Sequence, residues 1–178
     1  MNAPGSWRNS WRVALVILLV ASVFWLGGHS VRALIGNELL EPGTLELKTS
    51  VPPDAERMVY RLLAVTGIVV FVSYAVVLVS SLVVLLRGPW VLRDNGWLLM
   101  SALLLYVFIP VEVFALVLDV KLIRLEFFSG ADLPVFREAF LARAAALAGA
   151  PLIALLCYYT IIILAVFQPM TRRGSPTP

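Results

Sequence analysis

Apolar residues run in four long blocks separated by short polar segments. A helix that crosses a bilayer needs about 20 predominantly apolar residues, and residues 12–35, 54–86, 97–128 and 134–168 each supply that much. None of the four shows the two-residue alternation of a half-buried strand. The pattern predicts an all-α membrane protein, a four-transmembrane-helix bundle built as one membrane domain over 1–178.

The polar segments define the connections. In 36–54, Pro42-Gly43 signals a turn and Thr44-Leu45-Glu46-Leu47-Lys48 alternates in the strand manner, before Pro52-Pro53-Asp54 stops the strand and offers Asp54 as a helix N-cap. This loop and 121–136 are expected to form a small extracytoplasmic cap, extended or hairpin-like on the membrane surface. The loop 87–96 is short enough to make the second and third helices antiparallel neighbours. Ser129-Gly130-Ala131-Asp132 breaks the chain before the fourth helix, and the Pro/Ser-rich tail 171–178 has a disordered composition. Val13–Leu26 has the character of a signal-peptide core, with a weak cleavage-like Val31-Arg32-Ala33, but reads here as a retained anchor. No internal repeat is visible.

Composition strengthens the membrane reading. Of 178 residues, 61% are hydrophobic and 14% charged, and the mean hydropathy is +0.93; lipid is the natural solvent for such a chain. The net charge of +3 comes from basic residues scattered at helix ends, where they act as interface anchors and not as a nucleic-acid surface. Arg8, Arg12, Arg87, Arg93, Arg172 and Arg173 share the terminal side with a single acid, Asp94. The other eight basic residues are spread over longer loops among nearly all the acids. The positive-inside rule therefore predicts cytoplasmic termini, in a bacterial inner membrane or a plasma membrane. Trp7, Trp11, Trp90 and Trp97 cluster on the same side, as an interfacial belt would.

Candidate chemistry concentrates in the third block, where Phe108–Asp119 carries acids within apolar helical sequence. A carboxylate at that depth is costly unless paired or protonated. Glu112, Asp119 and Glu126 follow one another at seven-residue steps, each drifting only about 20° around a helix, so they share a stripe with Ser101 and Phe108. Lys121 and Arg124 point to other faces, and a counter-charge must come from another helix. Arg57 and Arg61, at i,i+4 on the second helix, are the first candidates, with Arg143 and Arg32 in reserve. Glu112, Asp119, Arg57, Arg61 and Arg143 thus form the candidate polar cluster. It reads first as an ion-pair cluster that fixes helix packing. Alternatively Glu112 titrates, binds a cation or polar ligand, or meets another subunit.

Pro110 and Pro151 are expected to kink the third and fourth helices, freeing the carbonyls of Tyr106 and Leu147. With Glu112 they would frame a small polar cavity. Ala142-Ala146-Ala150 and Ala145-Gly149 are small-xxx-small spacings that allow close helix approach, inside the bundle or against a partner. Tyr158, Tyr159 and Thr160 are expected to hydrogen-bond between helices.

The catalytic signatures are missing: no GxSxG, no HExxH, no phosphate-cradling glycine loop and no CxxC. Lone Cys157 cannot form an intramolecular disulfide, which removes the cysteine-pair chemistry of vitamin K epoxide reductases and the extracellular bridges of tetraspanins and claudins. Small multidrug transporters also carry a membrane glutamate, but on their first helix and in shorter chains. The single histidine, His29, leaves at most one axial ligation for a haem-like group, so neither cofactor nor metal is expected. The sequence favours a non-catalytic integral membrane subunit or accessory/assembly protein of a larger complex, with the lipid bilayer and other membrane subunits as partners and no nucleic acid. The alternative is a small oligomeric transporter or ion- or proton-conducting protein that uses Glu112.

Overall fold

The structure, a computed structural model, describes residues 10–170. The tail 171–178 and residues Trp7, Arg8, Arg172 and Arg173 lie outside the described residues. Helices make up the regular structure: α1 (Ser10–Asn37), α2 (Pro53–Arg87), α3 (Gly96–Val107), α4 (Ile109–Arg124), a π turn at Leu125–Ser129, α5 (Leu133–Ala145), a 3₁₀ turn at Ala146–Gly149, and α6 (Ala150–Phe167). Four segments are long and apolar enough to cross a membrane: Ser10–Asn37, Pro53–Arg87, Gly96–Ser129 and Ala150–Phe167. The fold is that of an all-α, multi-pass membrane protein. Its outward residues agree, because Val16, Val23, Val79, Leu86, Leu156 and Ile163 are all exposed. In water such a surface would drive aggregation.

Two compact units divide the chain. One comprises Met1–Gly88 with Ala115–Ala146, the other Pro89–Phe114 with Leu147–Pro178. In the first, α1 and α2 pack antiparallel, as three contacts show: Trp25 meets Tyr74 with ring centroids 5.1 Å apart, Gly28 lies against Val70, and Gly67 against Arg32. A Cβ at Gly28 would stand 2.7 Å from Val70 Cγ2, so glycine is what lets the two helices approach. At one end of this unit Leu39, Tyr60, Leu63, Leu122, Phe136, Ala139 and Phe140 close a hydrophobic core. The loop after α1 joins it through Leu39, Leu40 and Leu47. That loop is hairpin-like, with a single antiparallel bridge between Leu40 and Leu47 and hydrogen bonds from Glu41 N–H to Glu46 O and from Lys48 N–H to Leu39 O. The expected strand shrinks to this one bridge.

In the second unit α3 pairs with α6. Phe108 meets Tyr158 edge-on at 6.1 Å, and Gly96 N–H donates to the carbonyl of Met170 at 3.2 Å.

Four expectations need correction. Asp54 is not the N-cap of α2: Pro52 takes that place and Pro53 opens the helix, leaving Asp54 in the first turn, where its charge complements the helix dipole. The fourth helix is not continuous over 134–168. α5 ends at Ala145, Ala146 is extended (ψ 135°), and Gly149 adopts φ +90°, a left-handed conformation suited to glycine. Pro151 therefore does not kink a helix but sits in the first turn of α6, where its missing N–H costs nothing. The break also dissolves the small-residue face. Ala142 lies on α5, Ala146 and Gly149 in the 3₁₀ turn and Ala150 on α6, with Ala142 and Gly149 exposed. Pro110 does interrupt its helix, at Phe108, whose φ −90° and ψ 3° end α3. Its ring and missing N–H remove the bond to Tyr106.

Candidate functional site

The polar residues of the first unit form two buried nodes, each built on a carboxylate held by arginine. Asp119 projects from α4 into the unit and is only 2% exposed. Arg32 of α1 grips it with both ends of its guanidinium, Nη1 donating to Oδ2 at 2.9 Å and Nη2 to Oδ1 at 2.7 Å. Arg143 of α5 adds Nε to Oδ1 at 3.1 Å. One acid thus ties together α1, α4 and α5. The node holds two cations for one anion and carries a net positive charge.

The second node is Glu56, in the first turn of α2 and 4% exposed. Arg137 of α5 donates Nε to Oε1 at 2.8 Å and Nη2 to Oε2 at 2.6 Å, the planar fork geometry that makes such pairs strong. Tyr60, one turn along α2, donates its hydroxyl to Oε1 at 2.7 Å, and its ring stacks on Phe136 at 5.7 Å. The hydrogen bond to Glu56 holds the Arg137 guanidinium above its already high ordinary pKa. Close by, Arg57 pairs with Glu126 at 2.8 Å and lies 4.0 Å over the ring of Phe136, a cation–π contact.

These contacts redistribute the expected cluster. Asp119 is served by Arg32 and Arg143, the two reserves, and not by Arg57 or Arg61. The reason is position: Arg57 lies level with Glu126, one heptad beyond Asp119 on the acid stripe. Arg61 is exposed and belongs to none of the ion pairs among the described residues. Glu112 is 3% exposed in the first turn of α4, where its N–H donates to Phe108 O at 3.0 Å. It belongs to the second unit. Thr160 donates to Leu156 O within its own helix, not between helices.

Sequence reading missed the Glu56–Tyr60–Arg137 node. The i,i+4 spacing of Glu56 and Tyr60 was its available signal, while Arg137 is identifiable only once α5 folds back onto α2. No group of three or more His, Cys, Asp or Glu side chains that could hold a metal ion occurs among the described residues. Comparison with family models, with curated proteins and with solved structures finds no match for this chain.

Proposed function

We propose that this chain is a non-catalytic integral membrane subunit or accessory protein of a larger membrane complex. The observation that carries the reading is the commitment of the buried carboxylates: Asp119 and Glu56 are both held in two-pronged arginine pairs. Acids held this way fix the relative placement of helices and are poor proton carriers. The broad exposed apolar surface leaves room for both lipid and neighbouring subunits. Purification of the tagged protein from its native membrane in mild detergent tests this. Stoichiometric companions through size exclusion are expected, and a chain that runs alone or as a homo-oligomer removes the reading. The termini are proposed to be cytoplasmic on the Lys/Arg distribution, which accessibility labelling of cysteines introduced into the 87–96 loop would check.

A second reading has its own motive. Glu112 is buried directly after the helix break at Phe108, and helix interruptions beside an ionisable group recur in transport proteins. On that reading the chain is a small oligomeric transporter or proton conductor. Glu112→Gln should then abolish a pH-dependent flux in proteoliposomes while the protein stays folded; undiminished flux in that variant eliminates it.

A further inference from the structure

The face of α4 opposite the buried acids has a composition of its own. Val117, Val120, Lys121, Arg124, Leu125, Phe128 and Ser129 line a groove of about 550 Å³, within the usual range of small-ligand sites. On a helical wheel Val117, Lys121 and Arg124 recur at three- and four-residue steps and lie roughly 150° from Asp119, and Phe128 follows in the π turn. Lys121 and Arg124 are both exposed and join none of the ion pairs among the described residues. Every other basic residue near this end either pairs with an acid or, like Arg61, lies off the groove. Phe128, 83% exposed, is an apolar ring set just past the two charges.

We infer that this groove binds an anionic phospholipid, with the phosphate between Lys121 and Arg124 and an acyl chain along Val117 and Val120. Three observations meet here. The two basic side chains leave the helix at i,i+3, with Cβ atoms about 5–6 Å apart, so one phosphate can engage both. The apolar residues continue on one face from the charges toward the interior of the span, as a chain leaving a headgroup requires. The depth also fits: the uncharged stretch Leu62–Leu86 of α2 is long enough to fill a hydrocarbon core of about 30 Å. That places the Arg57–Glu126 pair at its edge, and Arg124 and Lys121 lie within about 8 Å of that level along α4. A basic pair without acidic partners at headgroup depth attracts phosphate charge. The inference is independent of whether the chain works alone or in a complex.

Native mass spectrometry of the full-length protein tests it, with phosphatidylglycerol and phosphatidylcholine of identical acyl chains as probes. The wild type should retain phosphatidylglycerol on the order of tenfold better, and a Lys121→Gln/Arg124→Gln double variant should lose that preference. Lys121→Arg should keep it. Both side chains are exposed, so folding is expected to survive, and an unchanged melting curve in detergent verifies this. Equal retention of the two lipids by the wild type overturns the inference, and so does a preference that persists in the double variant. A third result also overturns it: protection of Lys121 from amine labelling that survives complete delipidation would put a protein surface there.

Discussion

The guanidinium of Arg32 lies against the bare backbone of Gly67: a Cβ there would stand 3.3 Å from Nη1 and 3.5 Å from Cζ, with Ile123 Cδ1 also at 3.5 Å. The missing side chain on α2 is the space in which α1 reaches α4. Gly67→Ala should be tolerated with a small shift of Arg32. Gly67→Val should push the guanidinium off Asp119 and destabilise the protein by about 2–3 kcal/mol, the scale of overpacking a filled interior. Unfolding by SDS in mixed micelles measures this, and a Val variant as stable as wild type would refute the assignment.

The two arginines on Asp119 should not be equivalent. Arg32 makes two short bonds and is 11% exposed; Arg143 makes one at 3.1 Å and is 22% exposed. Removing Arg143 leaves a balanced pair, whereas removing Arg32 leaves Asp119 on a single long bond. We expect Arg143→Gln to cost about 1 kcal/mol and Arg32→Gln about 3 kcal/mol. Asp119→Asn, which strands two like charges, should cost about 3–5 kcal/mol. The ranking of the three, read from one set of unfolding curves, is the test; an Arg143 variant weaker than the Arg32 variant contradicts it.

Gly28 and Val70 offer a test of the α1–α2 contact. Because a Cβ at 28 would fall 2.7 Å from Val70 Cγ2, and Val70 is fully buried, Gly28→Ala should cost about 1–3 kcal/mol. Shortening its neighbour with Val70→Ala relieves the clash. The double variant should therefore lose at least about 1 kcal/mol less than the two single losses summed, and strict additivity would show that the helices do not meet there.

Tyr60→Phe isolates the hydroxyl in the second node. The ring contacts with Phe136 and Phe140 remain, and Glu56 keeps Arg137, so only the 2.7 Å bond to Oε1 is lost. A loss of about 1–2 kcal/mol is expected. No change in melting temperature would mean that the hydroxyl contributes nothing to the node.

Much of the architecture was legible in the chain because apolar runs and their lengths are local properties. The spans at 10–37, 53–87 and 96–129 fall within two residues of the expected ones. The seven-residue spacing of Glu112, Asp119 and Glu126 was legible for the same reason, since spacing is a property of the chain alone. What was not legible depends on how helices meet. Arg57 and Arg61 share a face and looked like the natural partners of Asp119, yet pairing is decided by the level at which α2 passes α4, and that level matches Arg57 to Glu126. The break at Ala146–Gly149 was hidden differently. Six alanines in Ala142–Ala150 have high helix propensity, and they outweighed, in a sequence reading, the local signal of Gly149 followed by Pro151.

That break shortens the last crossing. α6 retains 18 residues, about 27 Å of helix, which is slightly less than the hydrocarbon thickness of an average bilayer and leaves no length for tilting. α2, at 35 residues, can lean to suit almost any thickness. The helices thus set unequal demands on their surroundings, and the shortest governs: hydrophobic mismatch would favour a thin membrane, or draw the lipid inward around α6, and a thick sterol-rich bilayer would disfavour the chain.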